Sequence, residues 1–185
     1  MGVGDVVRGR TTATVVVAVM AFAGCGGGNS GTSIGSSPSD SSAVLSAPLR
    51  IGEFVAQCDG APCTTVTTAL ARPDNIISQP YVRDSPRQSL VLSACRCDNL
   101  AASELVQRSG IRAQFGADAS VTTVDSNGTQ YTCMTGSAPP GQTTAVSACA
   151  WNAGPTVYSL VAIPAVDPQT LIELAPLAQV GTAGG

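Results

Sequence analysis

The chain has 185 residues, nine basic and twelve acidic side chains, no histidine, and a formal net charge of -3. Every basic residue is Arg, so Lys is absent as well. Ser-His-Asp triads, Cys-His pairs, Ser-Lys dyads, Schiff bases and His-ligated zinc are therefore excluded, and a weakly acidic chain without a basic patch is a poor nucleic-acid binder.

The N-terminus is the most informative stretch. Arg8 and Arg10 precede an apolar run over residues 15–23. That run is about ten residues long, too short for a bilayer-spanning helix, which needs about 20. It fits the h-region of a secretory signal peptide. The tetrad Phe22-Ala23-Gly24-Cys25 follows. It resembles a bacterial lipobox, with Phe22 where Leu is more usual. The resemblance implies cleavage before Cys25 and a thioether-linked diacylglycerol on its sulfur. Gly26, Gly27 and Gly28 come next and do not continue a helix. Two or more acyl chains give stable anchoring where a single chain gives only marginal binding.

Residues 26–47 are mostly Gly and Ser. They carry too little apolar surface to offset the entropy of ordering and read as a flexible tether with a reach of roughly 25 Å. The folded domain is expected over 48–180, with 181–185 as a frayed tail. Cleavage after residue 24 leaves seven Arg against eleven carboxylates. The absence of Lys, the abundance of Ala, Gly, Thr and Val, and the lipobox together resemble the exported lipoproteins of actinobacteria. The expected localisation is thus the outer face of the cell membrane, through a lipid anchor.

Within the domain, 51–57 and 64–71 fit either a strand or a helix. Residues 89–95 read as a strand. Leu100, Leu105 and Val106 mark a helix over 100–108, with Asp98 or Asn99 as cap and Gly110 as stop. Strands are predicted over 120–124, 129–134, 143–149 and 156–163. Asp125-Ser126-Asn127-Gly128 forms a turn between the first two. Asp167 caps a closing helix over 168–177, with Pro168 at its first position. The expected class is α+β, a small antiparallel sheet with one or two helices on one face, stabilised by disulfides.

Six cysteines remain beyond Cys25: Cys58, Cys63, Cys95, Cys97, Cys133 and Cys149. An even number in an exported chain implies disulfides, with 15 pairings open. Cys58 and Cys63 flank the turn-forming Asp59-Gly60-Ala61-Pro62 and suit a local bridge. Cys95 and Cys97 share a strand face; they either bridge each other or receive Cys58 and Cys63. The ending Cys149-Ala150-Trp151, a strand and a final helix resembles a recurring close of secreted actinobacterial domains, with Asn152 where an acidic residue is common. The resemblance brings no activity, but it implies a Cys133–Cys149 bridge. A simple hairpin centred near Pro139 would instead set Cys133 opposite Thr144, so that bridge needs a long asymmetric loop.

Rival sites are sparse. Cys95-Arg96-Cys97 could hold Cu(I) or act as a redox pair, with Arg96 lowering a thiol pKa. Asp118 with Asp125, or Glu53 with Asp59, are the available carboxylate pairs for glycoside hydrolysis. Arg83 and Arg87 flank a polar loop suited to an anion. Asn127-Gly128-Thr129 matches a glycosylation sequon but reads as a turn. The expectation is a non-enzymatic, lipid-anchored envelope protein that binds a ligand or partner and uses no cofactor. The alternative is an exported thiol protein handling copper or redox equivalents through Cys95 and Cys97.

Overall fold

A computed structural model describes residues 44–70, 76–96, 101–102, 115–138 and 140–183. The leader, Cys25, most of the tether, Cys97 and nearly all of the helix expected over 100–108 lie outside them. The described fold is antiparallel sheet with a single short helix, so the expected α+β balance is corrected towards sheet. The physical reason is composition. Runs rich in Thr, Val and Ser, ambiguous on their own, gain more from a pleated surface than from a helix.

Among the described residues twelve strands are present: β1 Val44–Ala47, β2 Arg50–Ile51, β3 Phe54–Cys58, β4 Ala61–Pro62, β5 Thr67–Leu70, β6 Ile76–Asp84, β7 Arg87–Cys95, β8 Ser120–Ser126, β9 Thr129–Thr135, β10 Ser147–Ala153, β11 Thr156–Ile163 and β12 Gly181–Ala183. A helix, α1, spans Pro168–Leu174 and runs into a 3-10 turn, Ala175–Ala178. The large sheet has the order β2-β3-β6-β7-β11-β10-β9-β8, with β4 beside β3, and a small sheet has the order β12-β1-β5.

Turn chemistry sets the hairpins. Asn127 and Gly128 form a two-residue turn, both with positive φ (51° and 76°), which matches the twist of β8 and β9. Gly154 (φ 57°) and Pro155 join β10 to β11 in the same economical way. Asp167 caps α1 by accepting from the Gln169 N–H at 2.8 Å, with Pro168 in the first turn.

Period-two alternation sorts the residues of the central strands onto two faces. Leu90, Leu92, Ala94, Tyr131, Cys133, Cys149, Trp151, Tyr158, Leu160 and Ala162 build one core with α1, the 3-10 turn and the small sheet. Val91, Cys95, Met134, Ala148, Ala150, Val157 and Val161 build a second core on the other face, joined by Ala102 and Phe115. Asn152 Oδ1 accepts from the Ala102 N–H at 2.8 Å and so ties residue 102 to the end of β10.

Several boundaries differ from expectation. β1 and β12 pair antiparallel, Val44 opposite Ala183, so the fold takes in 44–47 and 181–183, which composition had placed in the tether and the tail. Leu45 and Ala47 are buried there, which gives these strands an apolar reason to dock. β10 starts at Ser147 rather than 143. β6 carries Pro80 in its middle, a residue that normally argues against an internal strand. The ladder from β3 to β6 covers only Val55–Val82 and Ala56–Tyr81, and beyond it the Gln79 side chain donates to the Gln57 carbonyl at 2.9 Å. Pro80 thus sits just past the last backbone pair, where no N–H is demanded.

Two buried phenols bear on pH. Tyr81 is fully buried and donates to the Pro48 carbonyl oxygen at 2.8 Å; burial raises its pKa far above the ordinary value of about 10. Burial also raises Tyr158, while hydrogen bonds from Val180 and Thr156 pull the other way. The fold keeps both phenols neutral, whereas an unfolded chain releases their protons above about pH 10. Stability is therefore complete below that pH and falls above it, by up to about 1.4 kcal/mol per pH unit for each phenol. Denaturant titrations across pH 9–11 should show this fall. Tyr81→Phe should reduce the slope and cost about 1 kcal/mol at neutral pH, because the Pro48 carbonyl loses its donor.

Candidate functional site

A cleft of about 370 Å³ lies where the β8–β9 turn, β10 and α1 meet. Its floor comes from the face of the sheet that carries the disulfide core. Tyr131, Trp151 and Tyr158 lie in register across β9, β10 and β11. Trp151 stacks on Tyr158 with centroids 5.3 Å apart, and Tyr131 tilts against its other side at 5.7 Å. Ile172 of α1 completes the floor.

The walls are polar. Ser126, Asn127 and Thr129 come from the β8–β9 turn. Gln169 and Glu173, one helical turn apart on α1, come from the opposite side and share a hydrogen bond of 3.3 Å. Gln179 closes one end. Glu173 is the lone carboxylate and no Arg lines the cleft. The arrangement offers donors and acceptors in quantity, with no nucleophile paired to a base.

Cys133 and Cys149 stand directly opposite each other on β9 and β10, 4.0 Å apart at Cα, and form a disulfide. The asymmetric loop such a bridge requires is the long connection over 136–146. Cys149 Sγ lies 3.8 Å from the Pro168 carbonyl oxygen, beneath the first turn of α1. The bridge therefore backs the helix that supplies Gln169 and Glu173. Cys58 and Cys63 form a second disulfide, 5.0 Å at Cα, across the β3–β4 turn. Asp59 and Gly60 of that turn both take positive φ. Cys95 is also disulfide-bonded, and Cys97 and Cys25 lie outside the described residues.

The other candidates do not converge. Asp118 precedes β8 and Asp125 stands near its end, roughly 17 Å apart or more at the rise of a strand, beyond the range for paired glycosidase carboxylates. Asp118 accepts from the Ser137 hydroxyl at 2.7 Å and from its N–H at 2.9 Å, and these bonds, the hydroxyl first, hold its pKa below the ordinary range. Gly116 is pressed against the same Ser137, so close that a side chain there would strike its carbonyl oxygen. Glu53 and Asp59 flank β3 and are similarly separated. Arg83 pairs with Glu53 at 3.1 Å, donates to Gln88 at 2.7 Å and lies 5.0 Å over the Phe54 ring. Arg87 pairs in register with Asp84 rather than with Arg83, so the two arginines point to opposite faces of their hairpin. An apolar slot of about 180 Å³ lies beside Arg83, between α1 and the sheet. Most of its polar rim is held in internal pairs, the buried Arg83 Nε excepted, and its volume is about half that of the polar cleft, which is the better candidate.

Sequence reasoning singled out Asn127 as a turn and Trp151 as part of a pattern, but not Tyr131, Gln169, Glu173 or Gln179 as site residues. The available signal was the lone Trp of the chain, on a strand between two strands that each carry a Tyr. Comparison with protein-family models, curated proteins and solved structures finds no match.

The two described disulfides should differ in weight. Loop-closure entropy favours the bridge of sequence separation 16 over that of separation 5. Replacing Cys133 and Cys149 together by Ala should cost about 3 kcal/mol, and replacing Cys58 and Cys63 about 2 kcal/mol. Urea denaturation of the two double variants measures the difference.

Proposed function

We propose that the chain is a non-enzymatic, lipid-anchored envelope protein whose domain binds a ligand outside the membrane. The tetrad Phe22-Ala23-Gly24-Cys25 behind a short h-region carries the anchor part of this reading. The cleft between the β8–β9 turn and α1 supports the binding part, because it gathers polar groups over an apolar floor without any acid–base or nucleophile pair. Its volume falls within the range of small-molecule sites, at the low end. A copper site would need Cys95 as a thiolate, a form withheld while its disulfide stands, whereas a redox role would pass through that same bridge.

The anchor is tested by Cys25→Ser in the full chain, expressed in a bacterium that processes lipoproteins. The unaltered protein should partition into the detergent phase at its processed size. The variant should keep its leader and move to the aqueous phase. Continued processing together with detergent partitioning of the variant would overturn the lipid-anchor reading.

A further inference from the structure

The chemistry of the cleft is narrow enough to name its ligand class, an inference that rests on the binding reading above. Asn127, Gln169 and Gln179 offer amides, Ser126 and Thr129 hydroxyls, and Glu173 a carboxylate. Amides and hydroxyls both donate and accept, which matches groups that themselves do both. The sole charge at the rim is negative, so a phosphate or carboxylate ligand would meet repulsion and no guanidinium fork.

A quaternary ammonium ligand would need an open aromatic face. Trp151 is 2% exposed, stacked on Tyr158 on one side and met by Tyr131 on the other, so it offers none. An aliphatic ligand would have to strip water from amides and hydroxyls that it cannot satisfy. We propose that the cleft takes a neutral carbohydrate, one or two sugar rings whose hydroxyls exchange hydrogen bonds with the Asn127, Gln169 and Gln179 amides and donate to the Glu173 carboxylate, above the buried Tyr131–Trp151 floor. The floor is rigid because the Cys133–Cys149 bridge stands next to it in both strands. Pre-organisation of this kind lowers the ordering cost of binding.

The site carries its own reporter, since Trp151 is the lone Trp of the chain. Chitotetraose, cellotetraose and maltotetraose are titrated separately into the mature protein, up to about 10 mM, a range that captures weak sugar affinities. Spermidine and inorganic phosphate serve as cationic and anionic probes under the same conditions. At least one tetrasaccharide should shift Trp151 emission saturably. Gln179→Ala, an exposed position, should weaken that response about tenfold without lowering the melting temperature, the effect of losing one or two hydrogen bonds. Ala153→Phe, which fills the cleft, should abolish it. A sugar response unchanged in both variants, or no sugar response, overturns the carbohydrate assignment. If spermidine or phosphate responds instead and Ala153→Phe blocks it, the cleft remains a ligand site for another class. Silence from every probe overturns the binding reading along with the assignment.

Discussion

The register that sets Cys133 opposite Cys149 is the constraint on which the rest of the molecule depends. Side chains in a sheet repeat every two residues, so a slip of one would send every buried residue of β9 or β10 to the wrong face. The disulfide forbids that slip. Two positions along, the same register brings Trp151 between Tyr131 and Tyr158. One row is thus covalent and the next aromatic, and together they fix the floor beneath α1. The helix then needs only a capping Asp167 and the buried Leu171 and Ile172 to sit in place.

This arrangement also answers a problem of composition. Aromatic residues make up 4% of the chain, so most of the interior must be filled by small and branched side chains. Three of the few aromatics are spent in one row, and the other face of the sheet is built without any from its strands. There Ser93, Ser159, Ala150 and Thr132 run across four strands in register, all buried. Ser159 Oγ has no hydrogen-bond partner, a local penalty in a band of small side chains. Cross-links add stability where an interior poor in aromatic side chains draws less of it from apolar burial.

Strong local signals were the legible part of the sequence. Asn127-Gly128 forces positive φ twice, Asp167-Pro168 has one reading as a helix start, and the β-branched run from Thr156 to Ile163 has nowhere better to go than a central strand. β6 was not legible because Pro80 removes a donor, and only the three-dimensional end of the β3 ladder makes that harmless. β1 and β12 were hidden for a different reason. Each is short and set in Gly-, Ser- or Ala-rich surroundings; β1 gains its order between β12 and β5, and β12 gains its order from β1. The cleft was invisible because its residues come from three separate segments, none of which carries a motif. Polar side chains on a turn and on a seven-residue helix read as ordinary surface until the sheet brings them face to face.

The antiparallel partnership of Val44 with Ala183 has a topological consequence. The described fold opens and closes at neighbouring points, about 5 Å apart as cross-strand partners are. A short linker could join them into a ring, and new ends opened at the exposed Gly154-Pro155 turn would give a circularly permuted protein with every sheet pairing retained. A fusion after Ala183 would emerge beside Val44, and the β10–β11 turn offers a separate place to graft an insertion.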